Sequence, residues 1–366
     1  MDSQQFGNDL QKKFEEYKAE VQKTNILVMG GTGVGKSSLI NTIFGENVAQ
    51  AATGKPVTQE LKKYESDSLP IIFYDTKGYE IGNGKEDEFI NNVVATVEKS
   101  MAGSDPIHIV WYCIQASGHR FTDFDKTAIQ KLMASKVPLA VVLTKSETIS
   151  EEDAEKFKQT IFDNGCAVEF FETSSHDKQH AWQMEELCEW SIKNLPDAIR
   201  TSFIAAQKIS LKAKREHAKS IIIQHASGAF ATGFTPIPVS DAPILLGIQG
   251  TMIARIAFVY GLESILKNQS TYFMKALIGP VIVRSGTMLA GTLLKLFPGI
   301  GTIAGGSINA GVASIITYAI GYAFTELSER LLLAEIEGGE SSLNKVLGNA
   351  ADIFKNQFDV EMKKKR

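Results

Sequence analysis

The chain runs to 366 residues and 40.0 kDa, too long for one typical domain and right for two. Its content of 44% hydrophobic and 22% charged residues excludes wholesale disorder. Lys and Arg number 38 against 42 Asp and Glu, a formal net charge of -4, which excludes a global basic field for gathering nucleic acid while leaving a local patch open.

Residues 2–23 read as an amphipathic helix. Phe6, Leu10, Phe14, Tyr17 and Val21 recur at steps of three and four, and the stripe is expected to pack on the protein's own body. No secretory signal is expected in this charged opening. From Asn25 the period changes. Apolar runs at 26–29, 71–74, 107–114, 139–143 and 168–171 read as buried strands. Helical stretches at 37–44, 86–101, 123–135, 151–163 and 178–194 lie between them. Such alternation predicts an α/β domain: an open, mostly parallel sheet with helices on both faces and its ligand at the carboxyl ends of the strands. Pro196 closes the pattern. Residues 197–225 are helical and partly basic; 226–262 and 276–325 are rich in Gly, Ala, Ile and Leu without strand-like alternation. A second, all-α domain is therefore expected over 196–366, after an N-terminal helix (1–23) and a first domain (24–195). Cys113, Cys166 and Cys188 show neither CxxC nor zinc spacing, and fit reduced thiols in the cytosol.

The chemistry concentrates after the first strand. Gly30-Gly31-Thr32-Gly33-Val34-Gly35-Lys36-Ser37 fits GxxxxGK[ST] between a strand and a helix, the context of a phosphate-binding loop. Its glycines let the backbone fold around a phosphate chain, with amides of residues 33 to 38 turned inward. Gly30, Thr32, Gly33, Val34, Gly35, Lys36, Ser37 and Ser38 form the candidate nucleotide-binding set here. Lys36 is expected on the β- and γ-phosphates and the Ser37 hydroxyl on Mg2+. Asp75-Thr76-Lys77-Gly78 follows the strand at 71–74. An aspartate there can hold Mg2+ through its water shell, and the Gly78 amide can meet a γ-phosphate.

Thr144-Lys145-Ser146-Glu147 follows the strand at 139–143, and Glu172-Thr173-Ser174-Ser175 follows the one at 168–171. With these the chain resembles the P-loop GTPases, whose base-recognition motif is [NT]KxD and whose last loop is of the SAK type. The likeness covers residues 24–195 and is nearest to the Era-like group, with some similarity to immunity-related and septin-type GTPases in the segment GGTGVGKSSLIN. The resemblance implies that Thr144 and Lys145 frame the base, that Glu147 accepts from the guanine N1–H and amino group, and that backbone near Ser174 and Ser175 meets O6. It also implies a switch threonine that senses the γ-phosphate and coordinates Mg2+. Thr58 fits best, with Thr53 the alternative.

Two positions depart from the family. Glu147 stands for Asp, one methylene longer, yet a carboxylate facing two donors still favours guanine over adenine. Tyr79 occupies the place where some members carry a water-orienting glutamine, and a phenol with a pKa of about 10 is a poor base at neutral pH. Slow hydrolysis is expected, with Lys36, Thr58 and Gly78 as the residues nearest the chemistry. Gly33 stands where potassium-assisted members often carry Asn, so potassium activation is not expected. Arg120, in a loop with His119, is the one candidate for an arginine finger in trans, against the plainer reading of a solvated surface residue.

In the second domain, Pro236-Ile237-Pro238-Val239-Ser240-Asp241 and Pro298-Gly299-Ile300-Gly301 resemble the PIPxxD and PGxG signatures of a helical family of unknown function found behind Era-like domains. Asp241 is expected to cap the following helix. Residues 296–325 carry no charged side chain and are long enough to span a bilayer, but their glycines suit a buried soluble bundle equally. The Lys363-Lys364-Lys365-Arg366 cluster reads as a solvated end with weak attraction for membranes. The leading expectation is a cytoplasmic, Mg2+-dependent GTPase that binds GTP and GDP and switches conformation, with peripheral membrane contact. The alternatives are a nucleotide-stabilised membrane scaffold and a dynamin-like or immunity-type GTPase that forms homodimers through its G domains. No KH-type or RNP pattern supports nucleic-acid binding.

Overall fold

The computed structural model describes residues 3–45, 48, 53–58, 61–67, 69–76, 86–118, 120–177, 182–232, 242–267 and 310–364. They form two compact units, Val21–Ser210 and Met1–Glu20 with Leu211–Arg366.

The first unit is built on a seven-stranded sheet. Its strands are β1 (Thr24–Met29), β2 (Thr53–Pro56), β3 (Leu61–Glu65), β4 (Ile71–Thr76), β5 (Ile109–Gln115), β6 (Leu139–Thr144) and β7 (Glu169–Glu172). The order is β2-β3-β4-β1-β5-β6-β7, with the β2–β3 and β3–β4 pairs antiparallel and the rest parallel. β1 is buried along its whole length because it is covered on both faces. Leu27 and Met29 join one core with Val110, Tyr112, Val141 and Leu143. Ile26 and Val28 join the other with Trp111, Ala140 and Val142. This two-residue alternation sorts every central strand between the two layers.

Helices α3 (Glu86–Met101), α4 (Asp123–Ala134) and α5 (Glu151–Asp163) cover the first face through Val93, Ile129 and Phe157. Thr122 and Asp125 close a capping box at the start of α4. Helices α2 (Lys36–Phe44), α6 (Met184–Asn194) and α7 (Asp197–Ala206) cover the second face through Phe44, Leu187 and Phe203.

The unit does not end at Pro196. Phe203 of α7 packs edge-on against Phe44 at 5.8 Å and Trp111 at 6.2 Å. The single helical stretch read over 197–225 is two helices. Gln207 breaks it: its Oε1 accepts from the Ile209 and Ser210 amides, and its Nε2 donates to the Ser210 carbonyl. Two strands, β2 and β3, were not expected, for neither is an apolar run.

The second unit is helical: α1 (Ser3–Glu20), α8 (Leu211–Thr232), α9 (Ala242–Val259), α10 (Ala310–Gly348) and α11 (Ala350–Lys364). The N-terminal stripe docks here. Leu10 and Phe14 are buried, and Phe14 and Tyr17 meet Phe258 with ring centres 6.0 and 5.4 Å apart. Lys18 pairs with Glu263 at 2.7 Å. α8 lies along α10, where a Cβ on Gly321 would come within 2.5 Å of the Ile222 side chain, so only glycine allows the approach. Arg215 pairs with Glu329 across the same two helices. The PIPxxD and PGxG segments, Asp241, most of the apolar run 276–325, and Lys365 and Arg366 lie outside the described residues. Among the described residues no helix is long and apolar enough to cross a membrane.

Candidate functional site

The loop from Gly30 to Gly35 turns off β1 and delivers the chain into α2. Backbone geometry dictates its glycines. Gly33 and Gly35 have φ of 76° and 111°, in the left-handed region. At Gly30 a Cβ would lie 2.3 Å from the Cys113 carbonyl oxygen on β5. The loop borders a cleft of about 510 Å³ lined by Thr32, Gly33, Gly35, Lys36, Ser37, Ser38, Lys62, Tyr64, Asp75, Thr76 and Lys145. The cleft is lined by the carboxyl end of β4 and by the loop that follows its neighbour β1, the place that the doubly wound topology predicts.

Three lysines give the cleft its field. Lys36 Nζ donates to the Gly30 and Gly31 carbonyls at 2.9 and 3.1 Å and lies 3.9 Å from Asp75 Oδ1. Lys145, itself left-handed at φ 56°, donates to the Gly33 carbonyl at 2.9 Å and to Gln115 Oε1 at 2.8 Å. It braces the loop from the β6 side. Thr144 Oγ1 adds a bond to the Val34 carbonyl. Burial pushes the Asp75 carboxyl above its ordinary range, against the opposing pull of Lys36 and Lys62. Burial also pushes the Cys113 thiol, beneath the loop, up to about 12.

The fit to Mg2+ rests on the donor set. Asp75 Oδ1 and Thr76 Oγ1 are buried without a hydrogen-bond partner among the described residues, and Ser37 lines the same cleft. A carboxylate and a hydroxyl are hard oxygen ligands suited to Mg2+. Among the described residues no group of three or more His, Cys, Asp or Glu could hold a metal ion.

The loops after β6 and β7 are tied together. Ser146 N donates to the Thr173 carbonyl at 3.1 Å and Thr173 N to the Leu143 carbonyl at 2.8 Å. Glu147 sits in the single turn Ser146–Thr148, with Oε2 buried and unpartnered among the described residues. Ser174 is buried and its Oγ accepts from the His176 and Asp177 amides; Ser175 is half-buried beside it.

Thr58 is not brought to the cleft. It lies in the turn between β2 and β3, where its hydroxyl accepts from the Leu61 amide at 3.1 Å. Thr53 falls within β2. Gly78, Tyr79 and His119 lie outside the described residues, and Arg120 is exposed. Lys62, Tyr64 and Gln115 escaped the sequence reading because no motif marks them. Their signal is a cross-strand pairing that only the sheet register supplies.

Parts of the chain match known family models. Residues 25–145 match the model described as 50S ribosome-binding GTPase. This stretch is a P-loop GTPase domain. Residues 200–353 match a domain of unknown function, DUF697. The chain is similar to Septin-8-B of Xenopus laevis, 30% identical over 176 residues that cover 41% of each protein. It is also similar to GTPase Era of Actinobacillus pleuropneumoniae serotype 3, 27% identical over 130 residues, 35% of this chain and 40% of that one. The chain thus spans about two fifths of the length of these curated relatives. Among solved structures, Toc33 from Arabidopsis thaliana in complex with Mg2+ and GMPPNP aligns with 52% of this chain and 95% of its own, at 17% identity and a TM-score of 0.35.

Proposed function

We propose that the chain is a Mg2+-dependent GTPase of the Era-like group, turning over slowly and serving as a conformational switch coupled to its helical unit. The reading rests above all on one observation: the cleft beside the phosphate-binding loop is lined by three lysines and by Asp75, whose buried Oδ1 accepts no hydrogen bond among the described residues. A triphosphate answers that field in charge and position.

Lys36 and the loop amides would neutralise charge on the phosphates and orient them. Ser37 and Asp75 would hold the metal, which when bound spreads charge from the β- and γ-phosphate oxygens. Glu147 would accept from the guanine edge, because its free oxygen needs donors that adenine does not offer there. Gly78 would serve as a switch contact, and so would Thr58 once its hydroxyl leaves the Leu61 amide. Slow turnover follows from Tyr79 in place of a water-orienting glutamine. The protein would work in the cytoplasm with peripheral membrane contact. A rate per protomer that climbs with protein concentration and liposomes would favour the oligomerising alternative.

Calorimetry on the full chain tests the reading. GTP and GDP should bind in the presence of Mg2+, an equal concentration of ATP should not displace them, and Lys36→Ala should weaken both at least about tenfold. Unchanged affinity in Lys36→Ala would remove the phosphate-loop assignment. Displacement by equal ATP would remove guanine selectivity.

A further inference from the structure

The cleft contains a cation that the loop does not employ. Lys36 and Lys145 are both anchored on loop carbonyls. Lys62, exposed on β3, makes no hydrogen bond or ion pair among the described residues, yet it lines the same cleft.

Strand alternation fixes where it points. Leu61 is buried in the core layer of Leu27 and Met29. Lys63 turns to that same face, with Nζ 2.8 Å from Asp105 and above the Tyr74 ring. Lys62 and Tyr64 therefore project to the opposite face, where Tyr64 packs in the layer of Phe44 and Phe73 beside α2. In the β3–β4 register Lys62 stands directly across from Asp75. The two Cβ atoms of such a pair are about 5 Å apart.

The sheet order gives the cleft a direction. Lys145 and Glu147 follow β6, and Lys62 sits on β3. Between them the order runs β3-β4-β1-β5-β6, four strand spacings or about 19 Å. The loop after β1 lies midway. A nucleotide with its base at the β6 end and its first phosphates over the loop carries its last phosphate toward β4 and β3. There it would come beside Asp75 and Lys62, and the Lys62 ammonium, directly across from Asp75, would pair with the phosphate's negative charge. A Lys has a flexible stem and a compact ammonium suited to a single phosphate oxygen.

We infer that Lys62 recognises the terminal phosphate of a nucleoside triphosphate and so makes the cleft discriminate GTP from GDP. The inference builds on the GTP reading above and adds to it a residue that sets the preference between substrate and product.

The test compares a non-hydrolysable GTP analogue with GDP on the full-length protein, with Mg2+ present. Lys62→Ala and Lys62→Gln should each weaken the analogue about tenfold while GDP changes less than about twofold, and Lys62→Arg should keep most of the analogue affinity. The thermal midpoints of the nucleotide-free variants should lie close to the wild type, because Lys62 is exposed and makes no hydrogen bond or ion pair among the described residues. Equal weakening of both ligands, or no change in either, would overturn the inference while leaving the GTP reading intact. Failure of the wild type to bind either nucleotide would overturn that reading and this inference with it.

Discussion

Asp75 is in tension between folding and binding. Its side chain is 31% exposed, but Oδ1 is buried and lacks a hydrogen bond among the described residues, and Lys36 is 3.9 Å away, too far to bond. Burial raises its pKa above the ordinary 3.8, so the folded chain holds this proton more tightly than the unfolded chain. The sign follows. The group favours the fold at low pH, and that contribution is lost as pH climbs from 3.8 through the raised value. Asp75→Asn should therefore melt above the wild type at pH 7 without nucleotide, with the difference closing below pH 4. The same variant should bind GTP more weakly when Mg2+ is supplied. Scanning calorimetry at several pH values checks the first part, and a variant melting at or below the wild type at pH 7 would refute it. The residues that announced themselves in sequence, Lys36, Ser37, Asp75 and Lys145, sit at fixed offsets from strand ends, where spacing alone suggests a role. Lys62, Tyr64 and Gln115 owe their place to neighbours on other strands, and one sequence does not record which strands will pair.

Among elements, the ones that follow from composition are those buried on both faces. β1, β5 and β6 carry the apolar runs 26–29, 109–114 and 139–143, as strands covered by helices on each side require. The edge strand β2 and its neighbour β3 carry Lys55, Pro56, Lys62 and Lys63, polar and proline-bearing sequence, and are read as loop from periodicity alone. The end of the first unit was hidden for another reason. Pro196 looks like a boundary, but it only bends the chain into α7, which returns Phe203 to the layer of Phe44 and Trp111. Phe203 is fully buried, so Phe203→Ala should destabilise this unit by about 3–5 kcal/mol. All three tryptophans, Trp111, Trp182 and Trp190, lie in the same unit, so fluorescence during urea unfolding of the intact chain reports on it. A fluorescence midpoint that does not fall in the variant would show that α7 is dispensable to the sheet.

At the scale of the molecule, the chain enters and leaves the GTPase unit between two parts of the helical one, since residues 1–20 belong with residues 211–366. The covalent order thus places a nucleotide-binding unit inside the sequence of its neighbour, with two connections between them instead of one. The physical basis is the apolar stripe of α1. Leu10 and Phe14 are 1% and 2% exposed, Phe14 and Tyr17 close on Phe258, Arg255 stacks over Tyr17 at 5.0 Å, and Lys267 reaches Glu15 at 3.1 Å. Removing the Phe14 ring should therefore cost the helical unit about 3 kcal/mol or more and leave the GTPase unit alone. The helical unit contains no tryptophan, which lets two signals separate the units in one sample. In Phe14→Ala, circular dichroism at 222 nm should lose part of its amplitude at lower urea, while the tryptophan transition keeps its wild-type midpoint. The opposite pattern, a tryptophan midpoint that falls while the remaining helical signal stays put, would assign α1 to the GTPase unit and undo the nested arrangement.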